Sequence, residues 1–218
     1  MNPGEPLITP PQVRALLFDA DGVLQTTGAS FRASLEALAP GVDLDTLVRA
    51  VMQAELACLP GRVDFAHCVA PVLKRFGLAA SPADFFAIWH DIELDYAMLR
   101  AIAEFRAQGI ACYLCSNQQT YRARHMSREL GLSNHFDREF YSCDVGAAKP
   151  SAKYFMRVLR SIELHPEETV FIDDIAANVN AASALGILGV LFPRNAGAEV
   201  LHTLLHPYLA LVAGAKPA

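Results

Sequence analysis

Apolar residues in this chain fall into short unbroken runs, separated by longer stretches where they recur every three or four positions. The runs Ala15–Phe18, Ile110–Cys115, Val170–Ile172 and Leu188–Phe192 lack polar alternation, which predicts strands buried on both faces of a parallel sheet. Phe136–Tyr141 predicts a further short strand. Helical periodicity covers Tyr96–Gln108 and Gln119–Leu130, stopped by Gly109 and Gly131. It returns over Ser151–Ile162, after Pro150, and over Ala176–Leu185, before Gly186. Strand and helix alternating in this way predict a doubly wound α/β fold, a Rossmann-like parallel sheet with right-handed crossovers.

The rhythm breaks once. A single crossover needs roughly a dozen residues, yet some ninety separate Asp21 from Ser116. Four amphipathic segments fill the gap: Ala29–Leu38, Leu44–Cys58, Phe65–Phe76 and Pro82–His90, punctuated by Gly41, Pro60-Gly61 and Gly77. Residues 25–95 therefore read as a helical cap inserted into a core made of 1–24 and 96–218. Both connections leave the carboxyl end of the sheet, which places the cap over whatever that end binds.

Composition agrees with a doubly buried sheet: 53% of residues are hydrophobic and mean hydropathy is positive. The longest apolar stretch, Ala184–Phe192, is too short to cross a bilayer, so no membrane partner is expected. Residues 1–12 lack the basic start and apolar core of a signal peptide, which makes the cytoplasm the expected location. A net charge of −5 without basic clusters argues against nucleic acid. The five cysteines follow no framework spacing, as reduced thiols would. Cys112 and Cys115 form a C-x-x-C, but three positions apart on a strand they face opposite sides and suit packing rather than a metal or a disulfide.

Candidate chemistry lies where the predicted strands end. The segment FDADGV puts Asp19 and Asp21 on a turn carrying Gly22; alone, this pattern is an ordinary turn. Three further polar groups follow later apolar runs: Ser116-Asn117, Lys149-Pro150 and Asp173-Asp174. Open α/β sheets bind ligands beyond the carboxyl ends of their strands. Four carboxylates gathered there repel one another, and a hard divalent cation such as Mg²⁺ relieves the repulsion. Ser116, Asn117, the loop amides after Asp19 and the ammonium of Lys149 are groups a phosphate needs. The set fits phosphoryl transfer, with Asp19 as nucleophile and Asp21 protonating the leaving alcohol and then deprotonating water. That double role predicts a raised pKa for Asp21, driven by the neighbouring carboxylates.

These motifs, in this order and spacing, resemble the haloacid dehalogenase (HAD) superfamily, in its branch with a helical cap between the first two motifs. The resemblance runs from about Arg14 to Phe192, and the stretches SNQQTYRARHM, FDREFYSCDVGAAKP and FIDDIAANVNAASALG are similar to small phosphatases of that group. It implies that Asp19 is the nucleophile, Asp21 the acid/base, and Ser116 and Lys149 the phosphoryl ligands. It further implies Mg²⁺ held by Asp19, the main-chain carbonyl of Asp21, and Asp174, with Asp173 acting indirectly or through water. Asn178 stands where many relatives carry another acid, which leaves the outer shell of the metal one negative charge poorer.

Competing readings stay open at this level. A phosphomutase of the same architecture shares every motif, and a non-catalytic module could keep the fold. Halide displacement needs neither a metal nor an acid at position 21. Ser116-Asn117 could simply cap the next helix, and Asp173-Asp174 could be an acidic helix start. In the cap, His67, Trp89 and His90 are candidates to line the pocket, with packing between cap helices the favoured reading for His67 and Trp89. Arg122, Arg124 and His125 are expected on a solvated helix face. His202–Ala213 is expected to dock on the core. The expected partner is a small phosphorylated metabolite, and the chain a monomer or homodimer.

Overall fold

The computed structural model describes residues 12–209. Residues 1–11, read as lacking a signal sequence, and residues 210–218, including the end of the expected C-terminal dock, lie outside that range. In chain order the elements are β1 (Ala15–Phe18), β2 (Gln25–Thr27), α1 (Phe31–Leu38), α2 (Leu44–Glu55), α3 (Phe65–Arg75) and α4 (Pro82–Trp89). They continue with β3 (Ile92–Leu94), α5 (Tyr96–Ala107), β4 (Ala111–Ser116), α6 (Thr120–Arg124), β5 (Arg138–Tyr141) and α7 (Ser142–Val145). Last come α8 (Ala152–Ile162), β6 (Thr169–Asp173), α9 (Ala176–Ser183), β7 (Leu188–Leu191) and α10 (Ala198–Leu209).

Five strands form one parallel sheet in the order β5-β4-β1-β6-β7. Its central strand β1 is fully buried because helices cover both faces. Leu16, Phe18, Cys112, Leu114, Val170 and Ile172 face α5 and α10, where Ile102, Phe105, Leu201 and Leu205 meet them. Leu17, Cys115 and Phe171 face the other way, onto Tyr154, Phe155 and Val158 of α8. Cys112 and Cys115 thus sit on opposite sides, as period-two alternation requires. α10 docks through Leu201 and Leu205. No helix among the described residues is long and apolar enough to cross a membrane.

Helices α1–α4 pack around an apolar centre of their own, built on Leu35, Leu47, Val51, Phe65, Val69, Leu73 and Phe85. Their starts follow from side-chain caps. Asp43 accepts from Thr46 N, Asp64 from Ala66 N, and Ser81 with Asp84 forms a reciprocal capping box. His67 corrects one expectation: it is exposed. α3 buries Phe65, Val69 and Leu73, and a residue two positions after Phe65 projects from the opposite side of the helix.

The two connections to this helical unit pair as a short antiparallel ribbon, β2 with β3. Asp95 N donates to Leu24 O at 2.8 Å and Gly28 N to Asp91 O at 2.9 Å, so entry and exit are tied together. The expected single helix over Gln119–Leu130 is α6 followed by a π-helical turn, His125–Glu129. There the His125 ring stacks on His90, with centroids 4.4 Å apart.

Candidate active site

Parallel register sets the site. Phe18 is level with Leu114 and Ile172, so Asp19, Ser116 and Asp173 emerge at the same edge of the sheet. Asp19 N donates to Ile172 O at 2.9 Å, which fixes the start of the turn. The Ala20 carbonyl accepts from Val23, Leu24 and Gln25, folding residues 19–25 into a tight loop. Gly22 is required there. Its φ is +87°, and a Cβ would collide with the Asp174 carboxylate. Gly22→Ala is expected to destabilise the fold by about 1–3 kcal/mol in urea titrations, and an unchanged midpoint would refute this packing.

Lys149 lies at the bottom, its ammonium donating to Asp19 Oδ1 and to Asp173 Oδ2, both at 2.7 Å. Burial alone would lower its pKa, but the two carboxylates outweigh that and raise it. Burial pushes Asp19 up to about 7, against the pull of Lys149 and with a further push from Asp173. Asn117 clamps the Lys149 main chain: its Nδ2 donates to Lys149 O and its Oδ1 accepts from Lys149 N, both at 2.9 Å. Neither Ser116 nor Asn117 caps α6; the side chain of Gln119 does, accepting from Tyr121 N and Arg122 N.

Asp21 departs from expectation. Burial tends to raise its pKa, yet the Arg122 charge and hydrogen bonds from Arg122, Gln25 and Gln118 prevail, and the pKa is lowered. Arg122 grips it with two bonds, Nη1 to Oδ2 at 2.7 Å and Nη2 to Oδ1 at 3.0 Å. Gln118 Nε2 and Gln25 Nε2 complete the shell at 2.7 and 3.0 Å. The expectation of a solvated Arg122 is therefore wrong, since its side chain is 13% exposed. Its Nε also reaches the carbonyl of Trp89 in α4 at 3.2 Å. Arg124 does stand exposed.

Sequence reasoning missed Arg122, Gln118, Gln25 and Arg194. One signal for Arg122 was available: it falls in the first turn of the helix expected over Gln119–Leu130, where positive charge is disfavoured unless an anion faces it.

Asp173 is fully committed, to Lys149, to Asn178 Nδ2 at 3.0 and 3.2 Å, and to Ile175 N at 2.8 Å. Asn178 acts here as a donor, which an ionised acid in its place could not do. Asp174 is the under-satisfied carboxylate. Arg194 Nη1 donates to Oδ2 at 2.6 Å, while buried Oδ1 has no partner. Burial raises its pKa against the opposing charge of Arg194. Asp19, Asp173 and Asp174 each bring a carboxylate oxygen within 4.8 Å of the others. A cluster of hard oxygens with one unpaired buried acceptor fits a divalent cation such as Mg²⁺.

Above these groups opens a cleft of about 730 Å³. Asp19, Asp21, Ser116, Asn117 and Lys149 form its floor, and residues of α2 with Trp89 form the opposite wall. Trp89 does both things considered for it. Its ring packs on Phe31 and Phe85, and its Nε1 donates to Glu55 in the cleft wall at 3.1 Å. His90 is not among the lining residues.

Comparison with known proteins bears on the family and the fold. A sesquiterpene phosphatase of Aspergillus oryzae is 29% identical over 184 residues, covering 81% of this chain and 88% of its own. A bifunctional epoxide hydrolase of Sus scrofa is 26% identical over 82% of this chain, which spans 36% of that longer protein. A HAD family enzyme of Bacteroides thetaiotaomicron, solved with magnesium and inorganic phosphate, shares the fold with a TM-score of 0.72 at 20% identity. That match covers 87% of this chain and 98% of the other. The family model of haloacid dehalogenase-like hydrolases matches residues 13–186, and this chain belongs to that family.

Proposed function

We propose that this chain is a Mg²⁺-dependent phosphatase that hydrolyses a small phosphomonoester through an aspartyl-phosphate on Asp19. The observation that carries the reading is Asp19 held against Lys149 on the cleft floor, beside the unpartnered oxygen of Asp174. The name of the Aspergillus relative, and the magnesium and phosphate bound by the Bacteroides enzyme, support it. Mg²⁺ would be held by Asp19, the Asp21 carbonyl and Asp174, and would supply positive charge to the phosphoryl oxygens.

The remaining steps belong to the chain's own residues. An Asp19 carboxylate oxygen bonds to phosphorus as the bond from phosphorus to the alcohol oxygen breaks. Asp21 gives its proton to the departing alkoxide. Asp21 then takes a proton from water, whose oxygen attacks the same phosphorus and breaks the bond to Asp19. Lys149, the Ser116 hydroxyl and the Asn117 main-chain N–H receive the phosphoryl oxygens. In the resting arrangement Asp21 is a paired carboxylate, so its acid role requires the Arg122 pair to loosen when an ester enters. Asp21 also favours this reading over halide displacement, whose leaving group takes no proton. The reading keeps the chain in the cytoplasm, as a monomer or homodimer.

The test is a panel of sugar phosphates, nucleotides and p-nitrophenyl phosphate, with and without metal. Chelator is expected to lower turnover about 100-fold or more, Mg²⁺ to restore it, and Ca²⁺ to substitute poorly because it favours looser, bidentate carboxylate geometry. Full activity in chelator, together with halide release from 2-haloacids, would overturn the proposal.

A further inference from the structure

The cleft has two unlike halves. Its floor is charged, but α2 turns a second apolar stripe into it. Leu44, Leu47 and Val51 of this helix are buried in the cap interior, while Val48, Met52 and Leu56, spaced four apart, line the cleft. Met52 and Leu56 are 54% and 55% exposed, and Ile175 on the opposite side is 50% exposed. Seven large hydrophobic side chains are strongly exposed among the described residues, and these three share this one cleft. Phe31 and Trp89 extend the same wall. Exposed apolar side chains gathered in one cleft beside a charged site mark a binding surface rather than scatter.

A sugar would need its hydroxyls met by fixed polar partners, because unmatched buried polar groups are costly. Two of the three polar side chains of α2 in the cleft are engaged within the protein, since Glu55 accepts from Trp89 Nε1 at 3.1 Å and Arg49 donates to Thr46 Oγ1 at 3.0 Å, which leaves Gln53. We infer that the substrate is a phosphomonoester of an apolar alcohol, its phosphate on the Asp19–Lys149 floor and its hydrocarbon body along Val48, Met52, Leu56, Trp89 and Ile175. This rests on the phosphatase reading for its chemistry, but the apolar wall can be tested without turnover.

Trp89 is the only tryptophan in the chain and lines the cleft, so its fluorescence reports occupancy. Two measurements decide the matter with the Mg²⁺-loaded enzyme. Phosphate release is followed from ethyl, hexyl and decyl phosphate and from a hexose phosphate. Ethyl- and decylphosphonate, which cannot be hydrolysed, are titrated against Trp89 emission. Each buried methylene is worth roughly fourfold in affinity, so decyl is expected to exceed ethyl by about 100-fold or more in both assays, with the hexose ester no better than ethyl. Met52→Glu and, separately, Leu56→Glu are exposed changes that the fold accommodates, and each is expected to cut the decyl-to-ethyl ratio at least tenfold. Equal binding of the two phosphonates, or a preference for the hexose ester, would overturn the inference. Phosphate release from none of the esters, with the phosphonate preference intact, would instead sink the phosphatase reading and leave the apolar site standing.

Discussion

Asp19→Asn is expected to lower phosphomonoester turnover about 10,000-fold or more, the scale on which nucleophile replacements act. The amide matches the carboxylate in size, so Lys149 keeps its place through the bond to Asp173. What is lost is a negatively charged oxygen able to bond to phosphorus. Purified variant and wild type should give the same circular dichroism, and the variant should show no phosphorylated peptide after incubation with substrate. Turnover within tenfold of wild type would refute covalent catalysis by this residue.

The same substitution has a pH-dependent effect on stability. In chelator, burial holds the Asp19 pKa at about 7, above its ordinary carboxylate value. A raised carboxyl pKa means that the fold favours the protonated form. The contribution to stability is then fully present below the unfolded pKa and is lost as pH rises through about 7. Metal-free wild type should accordingly weaken between pH 5 and pH 8, whereas the amide introduced by Asp19→Asn does not titrate. The melting-temperature difference, variant minus wild type, is expected to be larger at pH 8 than at pH 5.

The core of the fold was legible because a sheet covered on both faces demands unbroken apolar strands, and β1 and β6 are buried along their whole length; β7 has the apolar run but, as an edge strand, leaves Leu191 exposed. The cap helices were legible from their amphipathic spacing and the breaks at Gly41, Pro60-Gly61 and Gly77; the caps at Asp43, Asp64 and Ser81 were not read from the sequence. The β2–β3 ribbon was not, because three-residue strands carry no period to detect and are held by pairing across the whole insertion. The polar groups at the strand ends were visible one by one. Their partners were not. Arg122 reaches Asp21 from a helix about a hundred residues later, and Arg194 reaches Asp174 from the loop between β7 and α10. A helix-face reading sorts side chains into water-facing and core-facing, and a buried cation paired to a distant carboxylate belongs to neither class. That is why the Asp21 pKa was anticipated with the wrong sign: the carboxylates were counted and the guanidinium was not.

The Arg122 pair sharpens the second large effect, which concerns Asp21. As a carboxylate it suits the second half of the proposed reaction, drawing a proton from water. The first half needs a proton only when the departing alkoxide is a strong base. Asp21→Asn should therefore still permit attack by Asp19 on p-nitrophenyl phosphate, whose leaving group departs unprotonated. Hydrolysis of the phosphorylated enzyme then lacks its base. A burst of nitrophenolate followed by a slow phase is expected, with added mass on the peptide containing Asp19. On an alkyl phosphate the variant should fail at the first step, losing roughly 1,000-fold in turnover and showing no burst and no modified peptide. Loss of the Asp21 carboxylate also removes the partner of Arg122, so combining Arg122→Gln with Asp21→Asn tests whether a stranded guanidinium distorts the site. If the burst persists in the double variant, the slow phase reports the missing base. If both substrate types turn over at wild-type rates in Asp21→Asn, Asp21 is not the proton carrier and the mechanism needs another group to activate water.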